Sequence, residues 1–169
     1  LCVPGGGAFS RKEIEALETH CKGVGAKGLV SLKVEGEGKG AGPSAKFFTE
    51  DQVRALLGLG GGKAGDLLLF VADADENVAA WGLGAVRTAA AEARGLIPHD
   101  EFAACFVVDF PLFLPGDGPA SWVPAHHPFC WPVEEDVDLI ESDPGKVRAA
   151  AYDPVLNGVE LGSGSIRIH

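Results

Sequence analysis

Methionine is absent from this 169-residue chain, and tyrosine occurs only once. Because the chain neither begins with methionine nor contains one, we expect it to be a segment of a longer protein.

Lysine and arginine total 14 against 24 aspartates and glutamates, which gives a net charge of −10. Nucleic-acid binding depends on basic side chains, so this segment is not expected to supply the main phosphate-binding surface of its parent protein.

Cysteine is scarce, and the four cysteines, at positions 2, 21, 105 and 130, form no Cys-x-x-Cys pair. With no secretory leader in the sequence, free thiols in a reducing cytoplasm are expected. The nearest approach to a metal cluster is His126-His127 followed by Cys130, which lacks the second ligand pair of a zinc site.

The longest apolar run, residues 67–72, is too short to cross a bilayer, so we expect a soluble protein with no membrane partner.

Helical and strand patterns alternate over residues 1–95. Capping boxes at Ser10/Glu13 and Thr49/Gln52 predict two helices, and Asp75 is expected to cap a third that reaches Arg94. Strands are predicted at residues 1–3, 27–35, 45–48 and 66–72, with a glycine-rich loop at 36–43. Helical spacing places five residues of the third helix near one face: Val78, Trp81, Ala85, Thr88 and Ala89. No nucleophile paired with a base occurs in this half, so it is expected to be a small α/β unit without catalytic chemistry.

Glycines 60, 62 and 65 match the pattern G-x-G-x-x-G of dinucleotide-binding loops. That fingerprint follows a strand and opens a helix, whereas here it follows a helix and precedes a strand. We interpret it as a flexible connector.

Asn157-Gly158 lies between two apolar runs near the end of the sequence and predicts a two-residue type I′ hairpin. Leu156 then faces Val159, and Val155 faces Glu160. One face is predicted to carry Asp153, Val155, Glu160, Gly162 and Gly164, and the other to be a core face of Tyr152, Pro154, Leu156, Val159 and Leu161. Two carboxylates on neighbouring strands suit a hard cation carrying phosphates, although carboxylates on such a face are more often simply solvated.

Glu160 and Arg167 are an odd seven positions apart, so a regular strand would point them to opposite faces. Both can serve one cavity only if residues 162–165 contain a bulge or bend.

Residues 103–169 otherwise favour antiparallel strands. Residues 105–110 are nearly all apolar, as in a strand buried on both faces, and a turn at 111–118 leads to a strand at 121–127. On such a strand at most one of His126 and His127 would face a cavity. Pro144 is expected to open a helix over residues 145–151.

The strings AYDPVLNGVELGSGSIRIH, VVDFPLF, AHHPF and DPGKVRA resemble bacterial-type aspartyl-tRNA synthetases, which are class II enzymes. The resemblance implies an α+β chain. Residues 1–95 would be the small α/β insertion domain shared with the B subunit of tRNA-dependent amidotransferases, and residues 96–169 part of the catalytic antiparallel sheet.

The resemblance also implies a reaction, in which aspartate and ATP form aspartyl-adenylate and the acid passes to tRNA(Asp) in a cytoplasmic homodimer. Arg167 and His126 would bind L-aspartate, Glu160 would bind ATP with Mg²⁺, and Asp153 would assist at the metal. No covalent catalytic residue is implied. The family's anticodon-binding barrel and other class motifs have no match here, so this segment alone is expected to be inactive.

Several positions depart from the family pattern: Phe106, Cys130-Trp131, Pro154 and Ser163. Pro154 removes one hydrogen-bond donor from the strand ladder near the implied metal site.

The alternative function is a non-catalytic tRNA-contacting or assembly module related to the amidotransferase domain. Such a module would not need the motifs of residues 103–169.

Overall fold

The computed structural model describes residues 1–36 and 39–168. These form two compact units, Leu1–His99 and Asp100–His169, whereas the sequence was divided after residue 95. Helices combine with antiparallel sheets, so the chain is α+β as predicted. No helix in the described ranges is long and apolar enough to cross a membrane.

Among its described residues, 1–36 and 39–99, the first unit has four strands and three α-helices. In chain order they are β1 (Cys2–Val3), α1 (Arg11–Gly23), β2 (Val30–Glu35), β3 (Lys39–Ala41), α2 (Glu50–Gly60), β4 (Leu67–Phe70) and α3 (Glu76–Ala93). Both capping boxes are present, and the Asp75 side chain caps α3 by accepting a hydrogen bond from the backbone N–H of Asn77. These local signals confirm the predicted helix starts.

The strands form one antiparallel sheet in the order β1-β4-β2-β3. Helices α1 and α3 cover one face, with Leu67 and Leu69 of β4 in their core, and α2 covers the other, where it packs on Leu68. Because side chains alternate along a strand, an all-apolar β4 is what a sheet covered on both faces requires.

Two details of this unit differ from the prediction. The strand that returns to β2 is β3 at 39–41, inside the predicted loop, while residues 45–47 form a 3₁₀ turn; residues 37 and 38 lie outside the described chain. Gly40 permits the earlier return, since a Cβ there would lie 2.5 Å from the Leu32 side chain.

The buried face of α3 also differs. Trp81 is 62% exposed and Thr88 is exposed, whereas Gly82, Val86 and Ala90 are buried. Gly82 lets α3 approach its neighbours closely, because a Cβ there would lie 3.1 Å from Ala26. Helical spacing alone grouped Trp81 and Thr88 with the apolar face, whereas closeness of approach decides which residues of α3 are buried.

The glycine run begins inside α2 rather than after it. The helix continues to Gly60 and ends at Gly61, which has a positive φ of 65°. The run still follows a helix and leads into β4, as predicted.

The second unit consists of short strands joined by turns. In order they are β5 (Ala104–Val107), β6 (Phe113–Pro115), β7 (Trp122–Pro124), α4 (Leu139–Ser142), β8 (Ala151–Leu156), β9 (Val159–Glu160) and β10 (Gly164–Ser165). Strand β8 pairs with β5, β9 and β10, and β6 pairs with β7 in a separate hairpin. A small core gathers Leu112, Cys130, Val147 and Ala149.

Burial was predicted wrongly in two places here. All four residues of β5 are exposed, with Phe106 at 68%, although its apolar run predicted burial on both faces. The predicted core face of the terminal hairpin is likewise open, because Tyr152, Val159 and Leu161 are all about half exposed or more.

The predicted helix at 145–151 is absent from the described chain. Pro144–Lys146 is a 3₁₀ turn, and the backbone then runs extended into β8. Neighbouring segments hold it there: the N–H of Leu112 donates to the carbonyl of Val147, and the N–H of Ala149 donates to that of Phe110. These tertiary hydrogen bonds replace those that a local helix would have made.

Candidate functional site

The terminal hairpin has the predicted turn and register. Asn157 and Gly158 have φ values of 49° and 81°, and Leu156 and Val155 lie opposite Val159 and Glu160. The amide of Asn157 anchors the turn, since its Oδ1 accepts from the Ala103 N–H at 2.7 Å. The Asn-Gly signal therefore set the pairing of β8 with β9 as expected.

A one-residue bulge follows this hairpin. The N–H of Leu161 still bonds to the carbonyl of Pro154 at 2.8 Å, so regular pairing extends to that point. A regular ladder would then place Ser163 opposite Tyr152, but the residue found there is Gly164. The extra residue therefore lies between Leu161 and Gly164, within the predicted segment.

The bulge changes which side chains share a face. Because direction alternates along a strand, one additional residue turns Ser165 and Arg167 to the side of Asp153 and Glu160. Gly164 moves to the opposite face, contrary to the expectation from a regular ladder. A Cβ on Gly164 would lie 2.5 Å from the ring of Tyr152, so this position requires glycine.

A cavity of about 460 Å³ opens in the second unit, on the face that carries Asp153, Glu160 and Arg167. All four predicted site residues line it: His126, Asp153, Glu160 and Arg167. The remaining lining residues are Phe110, Ala125, His127, Cys130, Ala151, Ser163, Gly164 and Ser165. The cavity thus combines two carboxylates, one guanidinium and two imidazoles.

Both histidines line the cavity, although at most one was expected to do so. Strand β7 ends at Pro124, so His126 and His127 lie in a bend where strand alternation does not apply. The ring of His126 packs edge-on against Phe110, with centroids 4.9 Å apart. Nδ1 of His127 accepts from the Phe129 N–H at 3.1 Å, which leaves Nε2 as the protonated nitrogen of the neutral ring.

Sequence reasoning missed an ion pair between Asp136 and Arg148 in the second unit. Asp136 is 7% exposed, and its carboxylate accepts from the Arg148 guanidinium at 2.7 and 3.1 Å and from the Arg148 backbone N–H at 3.0 Å. Asp109, with a positive φ of 60°, accepts from the same guanidinium at 3.2 Å. Asp109 precedes Phe110, so the network fixes a lining residue. No local pattern linked positions so far apart in sequence.

This network also shifts ionisation. The hydrogen bonds from Arg148 hold the pKa of Asp136 below its usual value, and the paired carboxylates raise the pKa of the Arg148 guanidinium. Both groups therefore stay charged throughout the neutral range.

Across residues 1–36 and 39–168, no group of three or more His, Cys, Asp or Glu side chains is arranged to hold a metal ion by itself. Two carboxylates nevertheless line one cavity, and Mg²⁺ is commonly held by one or two carboxylates together with substrate phosphates and water. The donor set formed by Asp153 and Glu160 fits that mode of binding.

Residues 1–81 match the family model of the GAD domain. Over its whole length the chain is 49% identical to an aspartate–tRNA ligase of Lactiplantibacillus plantarum, covering 29% of that protein. It is 47% identical over its whole length to an aspartate–tRNA(Asp/Asn) ligase of Moorella thermoacetica, covering 28% of it.

This chain is homologous to aspartate–tRNA ligases. The chain is likewise similar to an aspartate–tRNA ligase of Agathobacter rectalis. The two are 47% identical over 99% of this chain, which covers 28% of that relative. The resemblance found in the motifs is thereby confirmed, and these relatives are aminoacyl-tRNA synthetases. The chain spans less than a third of the length of the curated relatives it matches.

Proposed function

We propose that this chain is a segment of an aspartate–tRNA ligase and that its cavity is the part of the active site that binds L-aspartate and Mg²⁺-ATP. The observation that carries the proposal is the bulge after Leu161, which brings Arg167 into the same cavity as Asp153 and Glu160. A bulge that gathers opposite charges in one cavity is typical of a binding site rather than of a solvated hairpin.

Arg167 and His126 are proposed to bind the substrate aspartate. A guanidinium presents two parallel N–H donors that match the two oxygens of a carboxylate. His126 lines the same cavity and is oriented by its ring contact with Phe110. Together these groups provide a guanidinium and an imidazole contact for a small acidic amino acid.

Glu160 is proposed to bind ATP through Mg²⁺, with Asp153 assisting at the metal. When bound, Mg²⁺ would neutralise phosphate charge during displacement at phosphorus. The two carboxylates would hold the cation and keep it near the nucleotide, while the rest of the cavity orients the amino acid.

The reaction proposed for the parent enzyme has two steps. A carboxylate oxygen of aspartate attacks the α-phosphorus of ATP, which forms aspartyl-adenylate and releases pyrophosphate. A hydroxyl at the 3′ end of tRNA(Asp) then attacks the activated carbonyl and releases AMP. No side chain of this segment forms a covalent intermediate, so its contribution is positioning and charge.

The wider setting is also part of the proposal. Residues 1–95 would serve as the insertion domain shared with the amidotransferase B subunit, and residues 96–169 as part of the catalytic domain of a cytoplasmic homodimer. The alternative, a non-catalytic tRNA-contacting module, gives no role to the charged cavity of the second unit, which lies outside the matched GAD region.

Pyrophosphate exchange in the intact enzyme tests the proposal. Arg167→Lys should lose most aspartate-dependent exchange, because an ammonium cannot make the two-point contact, while the KM for ATP stays nearly unchanged. Arg87→Lys on helix α3 is the matched control and should behave as wild type.

Glu160→Gln gives the complementary result. Removing a metal-facing charge while keeping the shape should raise the KM for Mg²⁺-ATP more than the KM for aspartate. Equal losses for both substrates would assign Glu160 a purely structural role, and wild-type exchange that does not depend on aspartate would refute the proposed function.

A further inference from the structure

Cys130 lies where two segments of the cavity wall are joined. Residues 129–131 and 166–168 are joined by an isolated antiparallel bridge: the N–H of Trp131 donates to the carbonyl of Ile166 at 2.8 Å, and the N–H of Ile168 donates to that of Phe129 at 2.9 Å. Cys130 is directly opposite Arg167 in this pairing. The backbone therefore places the thiol beside the base of the arginine side chain.

The thiol is in contact with two polar side chains. Nη1 of Arg167 donates to Sγ of Cys130 at 3.6 Å, and Sγ donates to Oγ of Ser165 at 3.4 Å. A thiol has one hydrogen to donate and sulfur lone pairs to accept, so it satisfies both contacts at once. Cys130 is only 5% exposed, and water competes little for these bonds.

Cys130 is also connected to the histidine bend. Its N–H donates to the carbonyl of His127 at 3.1 Å, and the next N–H back, that of Phe129, donates to Nδ1 of His127 at 3.1 Å. One short segment thus contacts both Arg167 and His127. A change at Cys130 can act on both through contacts that are visible in the structure.

We propose that Cys130 is a positioning residue for Arg167, and this inference rests on the proposed function. An arginine side chain is long and has several free torsions, so its two-point contact with a carboxylate depends on how the guanidinium is oriented beforehand. The sulfur fixes one edge of that guanidinium, and Ser165 in turn orients the thiol. Cys130 itself takes no part in bond making or breaking.

The test compares Cys130→Val with Cys130→Ser in the intact enzyme. Valine has a similar size but no polar atom, whereas serine keeps one donor and an acceptor. Cys130→Val should raise the KM for aspartate about tenfold, as expected from losing one hydrogen bond to a charged group. The KM for ATP should change less than about twofold. Cys130→Ser should restore most of the lost affinity, and Cys105→Val on exposed strand β5 is the control.

Ser165→Ala is the second variant, and it keeps the thiol while removing its acceptor. It should raise the KM for aspartate by a smaller factor, about two- to threefold, because the thiol contact with Arg167 remains. If thermal unfolding shows that Cys130→Val does not fold, Ser165→Ala tests the inference in its place.

The inference is overturned if Cys130→Val leaves the KM for aspartate unchanged in a folded enzyme. It is also overturned if serine and valine impair both substrates equally, which is the pattern of a purely structural residue. An active, aspartate-dependent wild type with either result refutes only the role of Cys130. A wild type without aspartate-dependent exchange refutes the proposed function itself.

Discussion

The two units use apolar residues in opposite ways. In the first unit a four-stranded sheet is covered on both faces, and β4 is buried along most of its length. In the second unit β8 and its neighbours have a charged cavity on one face and exposed apolar side chains on the other, including Phe106 and Leu161. The sheet of the first unit is therefore packed on both faces. The sheet of the second unit has the candidate site on one face and an uncovered apolar surface on the other.

From this difference we expect the first unit to be the more stable of the two, while the proposed binding site lies in the second. Because its sheet is covered on both faces, we expect the first unit to bury enough apolar surface to fold alone. A sheet with one open apolar face is more stable when that face is covered by other protein.

The largest effect concerns association. The 169-residue chain should self-associate in sedimentation experiments, because the second unit exposes apolar side chains and strand edges, whereas residues 1–99 alone should sediment as a monomer. Phe106→Asp, placed on the open face, should reduce association of the whole chain. A clean monomer of the unaltered chain at high concentration would contradict the contrast.

Packing in the first unit should be sensitive at one glycine of α3 and tolerant at another. Gly82→Val should lower the free energy of unfolding by about 2 kcal/mol, because methyl groups would be forced against Ala26 and Cys21. Gly84→Val has open space and should change stability by less than about 0.5 kcal/mol. Urea unfolding of residues 1–99 measures both, and equal effects would mean that α3 does not approach its neighbours as closely as the structure shows.

The turn of the second unit should depend on Asn157 for two separable reasons. Asn157→Ala loses the side-chain bonds to Ala103 and Glu101 and places alanine at a positive φ, which should destabilise this unit by about 2 kcal/mol. Asn157→Gly removes only the bonds and should cost about half as much. Thermal unfolding of the intact protein gives both values, and identical losses would rule out a backbone contribution.

The smallest effects are pH-dependent, and each unit has one carboxylate to test. Hydrogen bonds from the backbone N–H groups of Gly5 and Lys63, both 2.9 Å, lower the pKa of buried Asp66, and Arg148 lowers that of Asp136. A lowered pKa stabilises the fold above the unfolded value of about 4 and loses that contribution as pH falls through the folded value.

Asp66→Asn should therefore reduce the loss of unfolding free energy that the first unit shows as pH falls below about 4. Asp136→Asn should do the same for the second unit. Acid titrations followed by circular dichroism check both variants. A variant whose profile below pH 4 matches that of wild type would show that its carboxylate is not linked to folding in that unit.

Local signals predicted the fold where their partners are sequence neighbours. The box of Ser10 with Glu13 and the turn at Asn157 were both confirmed, because each is stabilised within a few residues. A cavity shared by Glu160 and Arg167 was expected only with a bulge or bend within residues 162–165, and the structure contains a bulge there. Thus the site-forming hairpin could be predicted from the sequence.

The errors arise where long-range contacts decide the structure. Helical spacing groups Trp81 with Val78 and Ala85, but Trp81 is exposed, and Gly82 is the residue that lets the helices approach. The helix expected from residue 145 gives way to an extended segment because Arg148 pairs with Asp136 and its neighbours bond to Leu112 and Phe110. None of these partners is adjacent in sequence.

The central claim is that the bulge brings Arg167 and Glu160 to one cavity. Deleting Ser163 from the intact enzyme would restore a regular ladder and turn Arg167 to the other face, while Ser163→Gly keeps the length and the bulge. Aspartate-dependent pyrophosphate exchange should fall at least about a hundredfold in the deletion, as expected when a charged contact to substrate is lost, and stay near wild type in the glycine variant. A deletion variant that retains its wild-type KM for aspartate would contradict the account.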